Sequence, residues 1–238
     1  MKRRRFVLSA FATPALAAES RRKLLLPSDI PDELGFRIMW SNPVPAPDVS
    51  KWQLEVKGLV AKPQSFGLDQ LRALPQESQS ARMKCVQCWS ARTTWSGFRF
   101  AALLDLVEPL KTAKAIRLDC ADRWYEHMTL QEMANPRVMM VLDMAGQPLT
   151  ALHGAPLRLL DPSKYGYKSA KIITTITFLE EGKGSMACDV GGPFYSATGE
   201  IQAGYDTPLD LMSKEARQSR ILDPKVRRPI KGGEITEY

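Results

Sequence analysis

The sequence is poor in the residues on which several common kinds of site depend. It holds 2 histidines and 4 cysteines among 238 residues. Its C-x-x-C motif, Cys85-Val86-Gln87-Cys88, has no second pair to complete a zinc site and no following histidine for haem attachment. A Gly-x-Gly-x-x-Gly stretch and a phosphate-loop lysine are also missing, which argues against a nucleotide-binding fold.

Long apolar runs are absent except near the first residue. The basic residues 2–5 directly precede the apolar stretch 6–18, and Ala15-Leu16-Ala17 has the small-x-small pattern of a cleavage site. Residues 1–17 therefore predict a signal peptide. Paired arginines shortly before Phe6 predict the twin-arginine route and its Tat export machinery. Because that route carries folded proteins, we expect a periplasmic protein that takes up a cofactor before export.

The charge balance gives no case for nucleic acid as a partner. Residues 1–17 hold four basic and no acidic residues, so their removal lowers the net charge from +7 to +3. Basic residues between 225 and 231 alternate with proline and glycine. This pattern predicts a solvated tail rather than a binding patch.

Short strand and helix patterns alternate without a regular βαβ spacing. Residues 52–56 alternate between apolar and polar, residues 100–107 have a helical period, and residues 169–179 are rich in Ile and Thr. The order predicts an α+β fold with a mixed β-sheet. We divide the chain into the signal peptide, a proline-rich irregular lead-in (18–50), a main domain (51–212) and a polar C-terminal tail (213–238).

The pair Cys85 and Cys88 leaves several interpretations open. A thioredoxin-like pair needs a helix that begins at the first cysteine, whereas Cys85 follows a strand-like run. A zinc site at these two cysteines would lack further ligands, and a disulfide between them would close a very small, reducible loop. The last interpretation is that Cys85 alone binds a metal and Cys88 is a small buried residue. A disulfide between Cys120 and Cys188 also stays open.

The residues after Cys85 resemble those of a known family. Cys85, Trp89, Trp95 and Gly97-Phe98 are similar to the cysteine loop of molybdopterin-dependent oxidoreductases of the sulfite oxidase fold. Four further segments match in the same order, namely 153–159, 164–171, 192–195 and 206–208. The chain most resembles the catalytic subunit of the periplasmic methionine-sulfoxide reductase, from about Trp52 to Pro208.

This resemblance implies a Mo-molybdopterin cofactor whose metal is bound by Cys85, since a soft thiolate suits a sulfur-rich metal site. It makes residues 51–212 the molybdopterin-binding catalytic domain. It implies catalytic roles for Gln87 close to the metal and for Tyr195 and Asp206 in the lining of the substrate pocket. It implies cofactor contacts for Cys120, His153, Arg158, Lys168, Ser169, Ala170 and Lys171. The cations among these suit the cofactor's phosphate.

The same resemblance shows three departures from the reductase. Gln87 stands in place of a glutamate close to the metal, Cys120 in place of a threonine, and His153 in place of an asparagine. A histidine is common at this last position in sulfite oxidases. The neutral amide of Gln87 bears on proton delivery to the reacting oxygen.

The activity implied is oxygen-atom transfer to or from a small oxide or oxyanion, with reduction of an S- or N-oxide such as methionine sulfoxide favoured. A sulfite dehydrogenase is the alternative, although only Arg92 and Arg123 are candidates for an anion pocket. We expect a monomer that exchanges electrons with a separate membrane haem protein or cytochrome, because too few residues follow Pro208 for another domain. A cofactor-free thiol redox or binding protein is the competing class.

Overall fold

A computed structural model describes residues 31–40, 43–86, 89–191, 195–206 and 228–236 of the protein. The strands are β1 Gln53–Gly58, β2 Gln64–Gly67, β3 Gln76–Lys84, β4 Ser90–Phe98, β5 Ala115–Cys120, β6 Tyr125–Thr129, β7 Met139–Met144, β8 Gln147–Pro148, β9 Arg158–Leu160, β10 Ile173–Leu179, β11 Gly204–Asp206 and β12 Arg228–Ile230. The α-helices are α1 Leu68–Arg72, α2 Phe100–Val107, α3 Leu130–Met133 and α4 Met186–Gly191. Short 3₁₀ turns lie at Ala151–His153 and Gly166–Lys168.

The first sheet has the order β2-β1-β10-β5-β6 and is mixed. Strands β1 and β10 are parallel, and the other pairs are antiparallel. Its buried face carries alternate apolar residues, as in Ile176 and Phe178 of β10. Helix α2 packs on this face, where the Phe100 and Phe178 rings stack with centroids 6.0 Å apart. The predicted α+β class with a mixed sheet is confirmed.

The second sheet is built on a long hairpin that ends at the cysteine loop. Strands β3 and β4 pair from Gln76↔Phe98 to Lys84↔Ser90, and β4 continues the sheet to β7, which carries β8 and β9. Trp95 is fully buried and donates its Nε1–H to the carbonyl of Ala81 at 3.1 Å. Cys85 follows directly after β3, so the hairpin fixes its place.

One predicted strand has different bounds in the structure, and one helix was not predicted. The strand predicted at 169–179 begins only at Ile173 in the structure. Residues 169–172 stay outside it because they follow a 3₁₀ turn at 166–168 and because Ile172 has a left-handed backbone (φ 51°). Helix α4 begins at Met186, in a stretch where the sequence shows no helical period. Among the described residues, no helix combines the length and the apolar character needed to cross a membrane.

Part of the predicted tail packs on the domain. Strand β12 pairs antiparallel with β11. The guanidinium of Arg137 forms an ion pair with Glu234 at 2.6 Å, and Ile235 is buried. Residues 228–236 are therefore held by specific contacts, which the alternation of basic residues with proline and glycine did not indicate.

Candidate cofactor and active site

Several separate stretches of chain converge on one cavity of about 890 Å³, measured together with its open mouth. They come from the lead-in, the tip of the β3–β4 hairpin, the β5–β6 turn, and the segments on either side of β9. The lining comprises residues 36–40, Met83, Cys85, Val86, Trp89, Asp122, Trp124, Leu152, His153, Arg158, Gly166, Tyr167, 169–171 and Tyr195. A site assembled from such distant segments exists only in the folded chain.

Cys85 is half-buried and lines this cavity. Its backbone N–H donates to the carbonyl of Trp89 at 2.8 Å, and its own carbonyl accepts from the ammonium of Lys84 at 2.9 Å. Trp89 packs edge-on against Phe36, with ring centroids 6.2 Å apart. The hairpin tip therefore presents the cysteine to the cavity on a backbone fixed from two sides.

Arg158 is a buried cation in the cavity wall. Its Nη1 donates to the carbonyl of His153 at 2.8 Å, and its guanidinium lies 5.1 Å from the Trp95 ring centroid. Burial lowers the pKa of Arg158 to about 10, which leaves it charged at neutral pH. No acceptor within the described residues reaches its Nε. A buried charge in this state favours an anionic ligand.

Lys171 brings a second cation to the same wall. An isolated bridge places it opposite Arg158, and its ammonium donates to the carbonyl of Met39 at 2.5 Å. Burial, followed by the positive charge of Arg158, holds the pKa of Lys171 well below its usual value. Two neighbouring cations repel one another, and a phosphate bound between them would relieve that repulsion.

His153 joins the lead-in to the cavity. Its Nε2 lies 3.0 Å from Oδ2 of Asp32, and its ring meets Phe36 edge-on. Burial, and then the charge of Arg158, lowers the pKa of His153 and favours the neutral ring. Residues 36–40 of the lead-in thus belong to the site, a role that its proline-rich composition did not indicate. The signal available was the concentration of aromatic and basic side chains at Phe36, Arg37 and Trp40.

The remaining predicted cofactor residues divide into two groups. Ser169 and Ala170 are buried and line the cavity. Cys120 and Lys168 are buried as well, yet neither is part of the lining. Cys120 is a free cysteine, and burial raises its pKa well above the usual range. Cys188 is also free, so these two cysteines form no disulfide with each other.

The predicted catalytic residues are only partly placed. Tyr195 lines the cavity, with its ring centroid 4.9 Å from that of Tyr167. The backbone of Asp206 pairs in β11, whereas its side chain and all of Gln87 lie outside the described residues. Arg92 donates to the carbonyl of Thr236 at 2.7 Å, and Arg123 is exposed on the β5–β6 turn. Neither of these arginines lines the cavity.

The donors in the cavity fit a cofactor rich in acceptors. Within the described part of the chain, Oγ of Ser169, Nε of Arg158 and Nε1 of Trp40 and Trp89 are buried without a hydrogen-bond partner. A pterin that ends in a phosphate offers the acceptors that these groups lack. The described residues contain no group of three or more His, Cys, Asp or Glu side chains suited to a metal.

Comparison with known proteins agrees with this geometry. The profile of the oxidoreductase molybdopterin binding domain matches residues 41–187. A protein of Azospira oryzae, provisionally named protein-methionine-sulfoxide reductase subunit YedZ1, is 39% identical over 129 residues, which are 54% of this chain and 49% of the relative. The catalytic subunit MsrP of Pseudomonas syringae pv. tomato is 30% identical over 195 residues, which are 74% of this chain and 58% of the relative. The chain thus spans about half the length of these relatives.

A solved structure shows the same fold. The sulfane dehydrogenase SoxCD from Paracoccus pantotrophus superposes with a TM-score of 0.62 at 16% identity, over 74% of this chain and 51% of that one. At this identity the likeness concerns the fold alone. The profile match covers more than half of the 238 residues. The chain therefore belongs to the family of the oxidoreductase molybdopterin-binding domain.

Proposed function

We propose that this protein is a molybdopterin oxidoreductase that removes an oxygen atom from a small S- or N-oxide, with methionine sulfoxide the favoured substrate. The observation that carries the proposal is the shared cavity of Cys85 with Arg158 and Lys171. One soft metal ligand and two cations line the same cavity. This combination suits a metal cofactor with an anionic end.

Each part of the cavity has a separate task in this proposal. Cys85 binds the metal, and Arg158 and Lys171 hold the phosphate with help from Ser169. Residues 36–40, which line the cavity, would exclude water from a bound cofactor. When bound, molybdopterin supplies a redox-active metal that exchanges an oxygen atom and two electrons. Reduction of a sulfoxide breaks its S–O bond, takes up two electrons and two protons, and yields a thioether and water.

The aromatic residues of the lining support a neutral oxide rather than the sulfite anion. Sulfite oxidation would draw on an anion pocket, and the two arginines considered for it, Arg92 and Arg123, lie outside the lining, whose Arg and Lys residues are Arg37, Arg158 and Lys171. The lining also includes Trp124, Tyr167 and Tyr195, and the rings of Tyr167 and Tyr195 are in contact. Aromatic faces suit the apolar groups that flank a sulfoxide sulfur. Two relatives are also named as methionine-sulfoxide reductase subunits.

We also propose the compartment in which the protein acts and the source of its electrons. The twin-arginine pattern supports export to the periplasm through the Tat machinery. The two electrons for each turnover come from a separate partner, a membrane haem protein or a cytochrome, to a monomeric catalytic chain.

The test is to purify the mature protein from the periplasm of a molybdate-fed host and to measure molybdenum and pterin. We expect about one molybdenum per chain, and its loss in Cys85→Ala. Cys188→Ala is the matched control and should retain the metal, because Cys188 is a free cysteine outside the cavity lining. The absence of molybdenum, in a host shown to load other molybdoenzymes, would overturn the proposal.

Activity is then measured in both directions with a redox dye. Methionine sulfoxide with a reduced viologen should give turnover, and sulfite with an oxidising dye should give little. Cys88→Ser separates the competing thiol class. A thiol enzyme would lose its activity in that variant, whereas a molybdenum enzyme would keep most of it.

A further inference from the structure

Glu126 and Lys168 form a fully enclosed ion pair behind the cavity wall. Their side chains are 0% and 1% exposed, and the ammonium lies 2.6 Å from Oε2 of Glu126. Burial of two charges is costly unless further hydrogen bonds satisfy them. Here they are satisfied, and their partners show what the pair holds in place.

The carboxylate of Glu126 holds the β5–β6 side of the cavity. Its Oε1 accepts from the indole N–H of Trp124 at 3.1 Å and from the hydroxyl of Ser185 at 2.7 Å. Trp124 lines the cavity, and Ser185 directly precedes α4. A single carboxylate therefore fixes the indole in the wall and the start of the helix that leads to the 195–200 loop.

The ammonium of Lys168 holds that loop directly. It donates to the carbonyl of Ala197 at 3.0 Å and to the carbonyl of His127 at 2.9 Å. Gly199 packs on the lysine stem so closely that an added Cβ would lie 2.2 Å from Cγ of Lys168. The loop is thus attached to the pair through both a charge-assisted hydrogen bond and contact with the stem.

Tyr167, the neighbour of Lys168, completes the attachment. Its hydroxyl donates to the carbonyl of Ser196 at 2.9 Å and accepts from the N–H of Ser196 at 3.1 Å. Tyr167 also packs against Tyr195. Trp124, Tyr167 and Tyr195 all line the cavity, and these three residues are here called the aromatic wall.

We propose that Glu126 and Lys168 are positioning residues that set the aromatic wall, which receives the apolar groups of a neutral thioether oxide. Lys168 then has no part in holding the cofactor phosphate, although the sequence places it three residues before Lys171. The substrate role rests on the proposed oxide reduction. The structural role, attachment of the 195–200 loop to the pair, does not.

The test uses a combined Lys168→Met and Glu126→Gln variant of the full mature chain. It removes both charges with little change in volume, and the amide oxygen can still accept from Trp124 and Ser185. We expect molybdenum and pterin contents equal to those of the native protein. For a short peptide with methionine sulfoxide, KM should rise about tenfold while kcat changes less than about twofold. Amide hydrogen exchange over 195–201 should become about tenfold faster or more.

Two further variants make the test specific. Tyr167→Phe removes only the hydroxyl bonds to Ser196, so it should raise KM and the exchange rate in the same direction even if the combined variant folds poorly. Arg72→Met removes a bidentate ion pair with Asp143, and both Arg72 and Asp143 are outside the cavity lining. This control should leave KM and the exchange of residues 195–201 at native values.

The outcomes separate this inference from the proposed function. A folded Lys168→Met, Glu126→Gln variant that loses its pterin would overturn the inference, because Lys168 would then hold the cofactor. Native KM and native exchange rates in both wall variants would overturn it as well. If the native protein itself contains no molybdenum, the proposed function fails, and the exchange measurement still decides whether the pair holds the loop.

Discussion

The ammonium of Lys171 lies 3.6 Å from the centroid of the Trp40 ring. Trp40 belongs to the lead-in and is buried, whereas Lys171 comes from the wall beside Arg158. The contact therefore joins the segment that covers the cavity to one of the cations proposed to bind the cofactor. We therefore expect the position of the Lys171 ammonium and the packing of the lead-in at Trp40 to depend on one another.

Replacement of Trp40 should show this dependence as a coupling energy. Trp40→Leu removes the π face and part of the buried surface, and we expect the free energy of unfolding to fall by about 2–4 kcal/mol. Combined with Lys171→Met, the losses should be non-additive by about 1 kcal/mol. Urea unfolding of the cofactor-free protein measures both. Additivity within about 0.3 kcal/mol would show that the ammonium and the ring are not coupled.

His153 should make the folded protein less stable as the pH falls. Its pKa in the folded state is below the value of about 6.5 in the unfolded chain. As the pH falls through 6.5, the unfolded chain binds a proton that the folded chain does not, so the free energy of unfolding decreases. The loss is complete below the folded pKa.

The measurement compares the native protein with His153→Asn between pH 7.5 and 5.5. The native protein should lose more stability over this window than the variant. The difference between the two proteins removes the contributions of other titrating groups. Parallel pH profiles would contradict the expectation.

Arg158→Met should reduce cofactor binding far more than it changes stability. Loss of the guanidinium removes a phosphate ligand, so the pterin content should fall at least about tenfold. Within the described residues, no acceptor reaches Nε of Arg158. Removal of this buried charge is favourable, but the variant also loses the hydrogen bond from Nη1 to the carbonyl of His153, so the free energy of unfolding of the cofactor-free protein should change by less than about 1 kcal/mol. Pterin content and urea unfolding test the two parts, and a variant that retains its pterin would exclude Arg158 as a ligand.

Gly97→Ala should damage the β4–β7 contact that supports the cysteine hairpin. An added Cβ would lie 2.0 Å from the carbonyl oxygen of Met140, where the pairing of the two strands shifts register. We expect a loss of about 1–3 kcal/mol in the free energy of unfolding. Gly67→Ala is the comparison, since its Cβ would meet nothing closer than 3.7 Å. Equal losses in the two variants would show that the clash at Gly97 is relieved by backbone movement.

The local pattern of apolar and polar residues was enough to predict several elements of the fold. Helix α2 lies at residues 100–107 as its period predicted, β1 lies where apolar and polar residues alternate, and most of the Ile- and Thr-rich segment forms β10. These signals work because side-chain direction repeats with a period fixed by the backbone hydrogen bonds. The helix α4 escaped prediction because its six residues are too few to show a helical period.

The sequence by itself also determined which residues are candidates for the site, because Cys85, His153, Arg158 and Lys171 stand in motifs that resemble those of the family, and all four line the cavity. Only the tertiary structure decided which neighbours share the cavity. Lys168 and Lys171 are three residues apart, yet one meets Glu126, 42 residues away, and the other meets Met39, 132 residues away. A 3₁₀ turn ends at Lys168, and the chain then runs on beside Arg158. Both residues are lysines with the same charge, and their spacing does not show which of them faces the cavity. Only the packing of distant segments therefore distinguishes the positioning residue from the proposed cofactor ligand.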